Sequence, residues 1–195
     1  MGLTSDTDVL LGLLVSSGAF VRGHFTLAGG ETTDLKFDID EVQNNSGIMN
    51  VLAMGLVNKL ASPHDIQAVV GVATGGLVLG QYIAAYLAHC TDREPGTLPC
   101  IPTHKLRGTK QFGMAIADSF RIRDRRVLVV EDVLTTGGSV RSACQLVLAS
   151  GGDPFAVAAV LQRRPLGPRD LGVTELVTLL ETDFDMTPAR RLMQR

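Results

Sequence analysis

Along the chain, short apolar runs alternate with longer segments whose apolar positions recur at helical spacing, and this alternation sets the expected elements. Val9, Leu10, Leu13 and Leu14 mark one face of a first helix, with Ser5 or Thr7 as its cap and Gly18 as its stop. Two extended pieces follow, His24 to Leu27 and Leu35 to Ile39, separated by a turn at Gly29-Gly30. A second helix is expected from Ser46 to Leu60, then a strand from Ala68 to Val72, a helix from about Leu77 to Ala88 and a short strand from Cys100 to Thr103. Val127 to Val130 is an unbroken aliphatic run with no alternation to polar residues, which suits a strand buried on both faces of a parallel sheet. A helix from Ser139 to Ala149, ending at Gly151-Gly152, and a buried strand from Phe155 to Leu161 complete the pattern. Strands and helices taken in turn predict an α/β fold, a doubly wound, mostly parallel sheet flanked by helices. The expected layout is a single domain over residues 1–195, with a small hood contributed by about residues 1–45 and the C-terminal segment.

Composition narrows the classes. A chain of 195 residues with 45% hydrophobic content is long enough to bury a sizeable core. A formal net charge of −2 and a pI near 6.1 give no reason to expect nucleic acid. The longest apolar stretches, near Val9 to Val15 and Leu77 to Leu87, are broken by Gly or polar residues and are too short for a bilayer, so no membrane is expected. No secretory signal stands at the N-terminus, and Asp6 occupies the place where myristoylation needs a hydroxyl. Cys90, Cys100 and Cys144 are odd in number and widely spaced, which reads as reduced thiols in a cytoplasmic protein. The four histidines lack the spacing of transition-metal ligands.

The chemistry is concentrated in three stretches. After the Val127–Val130 strand come Glu131 and Asp132, then Thr135, Thr136, Gly137, Gly138 and Ser139. Carboxylates at the carboxyl end of a parallel strand suit sugar hydroxyls or hydrated Mg²⁺. Glycines let backbone N–H groups approach an anion at the start of a helix. The plainer alternative for the loop is an ordinary strand-to-helix turn in which Ser139 caps the helix. Residues Gly71 to Gly76, with Thr74 and Gly75, make a second small-residue turn into a helix. Between the two, His104 to Gly113 holds Lys105, Arg107 and Lys110 without a single acid, either a solvated basic loop or a flap hinged at Gly108 and Gly113.

Taken whole, residues 127–139 resemble the phosphoribosyl pyrophosphate (PRPP) motif of the type I phosphoribosyltransferases. The resemblance implies that Glu131 and Asp132 meet the ribose hydroxyls, that residues 135–139 hold the 5′-phosphate, and that Asp132 meets Mg²⁺ largely through PRPP and water. Residues 71–76 resemble the family's pyrophosphate loop, giving Thr74 and Gly75 a place at the leaving group. Within the family the chain is most similar to the orotate enzymes. His104 to Gly113 resembles their catalytic loop, which implies catalytic roles for Lys105 and Arg107 and a homodimer whose loops reach into neighbouring sites. Gly23-His24-Phe25-Thr26-Leu27 together with Lys36-Phe37-Asp38 resembles their base-binding hood, and Arg163, after Val160-Leu161-Gln162, falls on the arginine that pairs with the orotate carboxylate.

Departures cluster where the base is chosen and where the loop acts. Ala28, Leu35 and Lys36 replace hood residues, Ile101 and Pro102 replace a basic pair, Arg107 replaces a histidine and Gln162 an acid. The implied reaction is Mg²⁺-dependent transfer of a phosphoribosyl group from PRPP to a nucleobase, orotate first, in pyrimidine biosynthesis. The alternatives are another base, or a PRPP-sensing regulator that binds nucleic acid through Arg121 to Arg126.

Overall fold

A computed structural model describes residues 6–26, 30, 32–94, 96–109, 111–182 and 192–193. The elements are α1 (Asp6–Ser16), β1 (Phe20–Thr26), β2 (Thr32–Phe37), α2 (Ser46–Lys59), β3 (Ala68–Gly71), α3 (Gly76–Cys90), β4 (Cys100–Pro102), β5 (His104–Lys105), β6 (Phe112–Gly113), α4 (Ile116–Ile122), β7 (Arg126–Leu134), α5 (Gly138–Ala149), β8 (Asp153–Gln162), α6 (Pro168–Leu171) and β9 (Glu175–Glu181).

Five strands form one parallel sheet in the order β4-β3-β7-β8-β9. The chain steps from β3 outward to β4 and then returns past β3 to lay down β7. Connections therefore leave in opposite directions at the carboxyl ends of β3 and β7, opening the crevice where α/β sheets bind ligands. Each central strand is buried on both faces. Val69, Leu128, Val130, Ala156 and Ala158 join α1, α2 and α3 in one core, whereas Val70, Val127, Val129, Val157 and Ala159 join α5 in the other. Helix α2 shows why the sequence folds this way. Asn45 Oδ1 accepts the Ile48 N–H at 3.2 Å, which satisfies a first-turn donor, and Ile48, Met49, Leu52, Ala53, Leu56 and Val57 form the buried stripe.

β1 and β2 make a separate antiparallel hairpin that supplies Phe20, Leu35 and Phe37 to the first core. Expected and observed boundaries differ in instructive ways. Thr7 lies inside α1 rather than capping it, and Ile39 belongs to a 3₁₀ turn (Ile39–Glu41) that Asp38 caps through the Asp40 N–H. β7 continues through both acids to Leu134, because β8 stays paired with it as far as Gln162. α5 begins at Gly138, with Gly137 in the left-handed conformation at the cap position, so Ser139 is not the cap. The β5–β6 hairpin, α4, α6 and the edge strand β9 add to the expected set. Leu27, Ala28, Gly29, Glu31, Lys110 and most of the C-terminal part of the hood lie outside the described residues.

Candidate active site

At the crevice, the turn after β3 is pressed directly onto the end of β7. Val72 N–H donates to the Val130 carbonyl at 2.9 Å, and Gly76 N–H closes back onto the Val72 carbonyl at 2.9 Å. A methyl group on Gly75 would overlap the Asp132 carboxylate, and one on Gly76 would overlap the Val130 carbonyl oxygen. Close approach, not left-handed backbone, is what these glycines provide. The Ala73–Thr74 peptide between them and the strand is cis.

Beside this junction lies a cavity of about 570 Å³, within the range of small-ligand sites. Thr135, Thr136, Gly137, Gly138 and Ser139 form one wall, and Glu131 forms part of the floor. Lys105, Thr109, Gln111 and Phe112 of the β5–β6 hairpin line it as well. The basic stretch is thus a short hairpin that lines the same cavity as its own chain's loop. Gly108 sits at the hairpin tip with φ +72°, and Gly113, at the base of the hairpin, is paired with His104. Arg107 is exposed at the tip and is not part of the cavity wall.

The two acids sit in different surroundings. Glu131 is 7% exposed; burial first, and the neighbouring Asp132 carboxylate second, push its carboxyl well above the ordinary glutamate range, while Lys105 acts in the opposite direction. Asp132 is half-buried, accepts the Val133 N–H at 2.8 Å, and lies over Gly75, which links the two loops. Among the described residues no cluster of three His, Cys, Asp or Glu side chains is gathered for a metal ion. Burial pushes the Cys100 thiol up to about 12 and that of Cys144 up to about 11, which removes both from nucleophilic chemistry.

The residues expected at the base are not brought to this cavity. Phe37 is 3% exposed and packs edge-on against Phe20, with ring centroids 5.4 Å apart. Lys36 pairs with Asp38 at 2.6 Å on the hairpin. Arg163, 3% exposed, lines a second cavity of about 270 Å³ with Gln162, Arg164, Glu181 and Thr182 at the ends of β8 and β9, and its N–H donates to the Leu134 carbonyl at 2.8 Å. Thr74 is exposed at the turn after β3. In the 121–126 stretch, Arg121 pairs with Asp118, Arg126 with Asp65, and Arg125 donates to the Gln67 carbonyl.

Arg141 was not among the expected residues. From the first turn of α5 it lines the main cavity and donates to the carbonyls of Thr136 at 2.8 Å and Asp170 at 3.4 Å, bracing the loop against α6. A signal existed in the sequence, since a cation in a helix's first turn opposes the helix dipole. Among the described residues no helix is long and apolar enough to cross a membrane.

Known proteins share this fold. The profile of the phosphoribosyl transferase domain matches residues 38–180. An orotate phosphoribosyltransferase of Pelotomaculum thermopropionicum is 33% identical over 169 residues, 85% of this chain and 80% of its own. An adenine phosphoribosyltransferase of Saccharopolyspora erythraea is 37% identical over 123 residues, 59% of this chain and 65% of its own. The crystal structure of an orotate phosphoribosyltransferase from Aeropyrum pernix has the same fold, with a TM-score of 0.68 at 24% identity over 95% of this chain and 99% of that one. The family profile spans the sheet, both loops and the hairpin, and on that ground the chain belongs to the phosphoribosyltransferase family of enzymes.

Proposed function

We propose that the chain transfers the 5-phosphoribosyl group of PRPP to a nucleobase with release of pyrophosphate, and that orotate is the acceptor. The observation that carries this reading is the cavity at the sheet's crossover point, lined both by Lys105 and by residues 135–139. The backbone N–H groups and hydroxyls of 135–139 take the 5′-phosphate at the start of α5. Thr74 and Gly75 face the pyrophosphate, and Asp132 and Glu131 orient the ribose between them. As charge builds on the departing oxygens, Lys105 stabilises it, which is the kind of contact that raises the rate rather than only the affinity. Arg107, exposed at the hairpin tip outside the cavity wall, is the second cation proposed for the leaving group.

One half-buried carboxylate without a full ligand cage suits Mg²⁺, which keeps several waters and takes its remaining oxygens from substrate phosphates. Asp132 would hold it, with water and PRPP completing the shell. When bound, the ion neutralises charge on the diphosphate.

For the acceptor, Arg163 offers a planar cation to a carboxylate, and Lys36 and Phe37 belong to the hairpin that resembles the base hood. The relative named an adenine phosphoribosyltransferase makes a purine the competing acceptor. Pyrophosphate release with Mg²⁺ and PRPP, measured across orotate, uracil, adenine, guanine and hypoxanthine, tests both levels. Turnover of orotate alone supports the full reading, turnover of a purine alone replaces the acceptor, and no release with any base overturns the transfer reading.

A further inference from the structure

Thr103 is 3% exposed and sits in the single-residue link between β4 and β5. Its N–H and its hydroxyl both donate to the Gly71 carbonyl, at 3.1 and 3.0 Å, and its Oγ1 accepts the Ala73 N–H at 3.0 Å. Gly71 and Ala73 flank Val72, which is itself bonded to Val130 of β7. The root of the loop after β3 is therefore tied to β7 on one side and to the base of the basic hairpin on the other. A hydroxyl can accept from one backbone group while donating to another, and that dual capacity is what this position uses. Two residues further on, Lys105 enters the wall of the main cavity, and two residues beyond Ala73, Gly75 lies under Asp132.

We propose that Thr103 is a positioning residue that couples the Lys105 hairpin to the loop at residues 72–76 and thereby sets that loop's affinity for a diphosphate. The inference rests on the phosphoribosyl-transfer reading above. Without the hydroxyl, the Ala73 N–H loses its buried acceptor and the loop relaxes. The loop after β7 makes no hydrogen bond to Thr103 itself, so its hold on a sugar 5-phosphate is expected to change far less.

The test compares wild type, Thr103→Val and Thr103→Ser by calorimetry with magnesium pyrophosphate and, separately, with ribose 5-phosphate, alongside kinetics with PRPP. Thr103→Val is expected to weaken pyrophosphate binding and raise the KM for PRPP about tenfold, the consequence of one orphaned buried N–H. Ribose 5-phosphate affinity stays within about twofold and Thr103→Ser restores pyrophosphate binding, as a local hydrogen-bond role requires. Equal losses for both ligands, unchanged pyrophosphate affinity, or a Ser variant as impaired as Val would each overturn the proposal. Should the Val variant not fold, Thr103→Ala removes the same hydroxyl without its bulk, and the same outcomes decide. Wild-type protein that binds no pyrophosphate would overturn the transfer reading together with this one, whereas wild-type binding matched by the Val variant overturns this one alone.

Discussion

The loop after β3 and the loop after β7 leave parallel strands at the same end of the sheet, yet they are held by different means. Residues 72–76 are fixed by a backbone hydrogen bond to β7, by the Thr103 hydroxyl beneath, and by two glycines packed so closely that a methyl group would strike Asp132 or the Val130 carbonyl. Residues 135–139 stand partly in the open, shaped by one left-handed glycine and braced by the Arg141 side chain. The first loop shares its supports with the fold, so its substitutions should register as lost stability. The second has supports of its own, so its substitutions should register as lost binding.

Gly76→Ala probes the sharpest form of that contrast. Its Cβ meets main chain that cannot swing aside, and the expected cost is about 3 kcal/mol or more. At Gly138 the nearest atom to an added Cβ is Thr136 Oγ1 at 3.5 Å, an ordinary contact. Gly138→Ala should therefore leave stability unchanged or raise it by up to about 1 kcal/mol. Urea unfolding of the two variants measures the difference, and equal costs would break the comparison.

Lys105→Ala tests the hairpin that shares a cavity with the loop after β7. Loss of one cation acting on developing charge should lower kcat about a hundredfold while the Kd for PRPP changes far less. Because Lys105 lines its own chain's cavity, mixing Lys105→Ala with Asp132→Asn protein should restore no activity. Recovery in such a mixture would show that hairpins are exchanged between subunits.

Arg141→Ala sharpens the comparison from the other side. It should weaken ribose 5-phosphate binding about tenfold and leave pyrophosphate binding intact, the mirror of Thr103→Val, since it removes hydrogen bonds only to the β7 loop's braces. Calorimetry with the two ligands reads it, and a loss shared equally between them would erase the distinction.

The smallest effect concerns pH. Glu131 belongs to the β7 side, while residues 72–76 contain no ionisable side chain. Burial raises its carboxyl in the folded chain, so the folded state keeps a proton that the unfolded state releases near pH 4.3. Stability from this group is complete below that pH and is lost as pH rises through the raised value. Denaturation of Glu131→Gln across the range should show a flatter decline than wild type.

Much of the sheet was legible because its central strands are aliphatic on both faces. Val127–Val130 and Phe155–Leu161 could scarcely be anything but buried parallel strands, and the loops beyond them carried their own chemistry in hydroxyls and glycines. Less legible was whatever depended on pairing partners. The extension of β7 through Glu131 and Asp132 follows from β8 remaining alongside, and the two-residue strands of the basic hairpin are too short to leave a period. Thr103 gave no warning, because a threonine after a strand is unremarkable until the two backbone groups it bridges are brought together. Phe37, placed at the base by resemblance, instead follows the alternation of β2, whose inward positions Thr33, Leu35 and Phe37 are all buried.

That alternation has a consequence for how acceptor preference could change over time. The inward face of β2 is anchored in the main core, so Leu35 and Phe37 are constrained by folding whatever the enzyme acts on. The outward ladder of Thr32, Asp34 and Lys36 stands outside that core, and on the proposed function it lies on the segment associated with the base. Variation there is cheap in folding terms while the PRPP apparatus stays fixed. A lineage could thus shift its acceptor through a handful of substitutions along one edge of a hairpin, leaving its donor chemistry inherited unchanged.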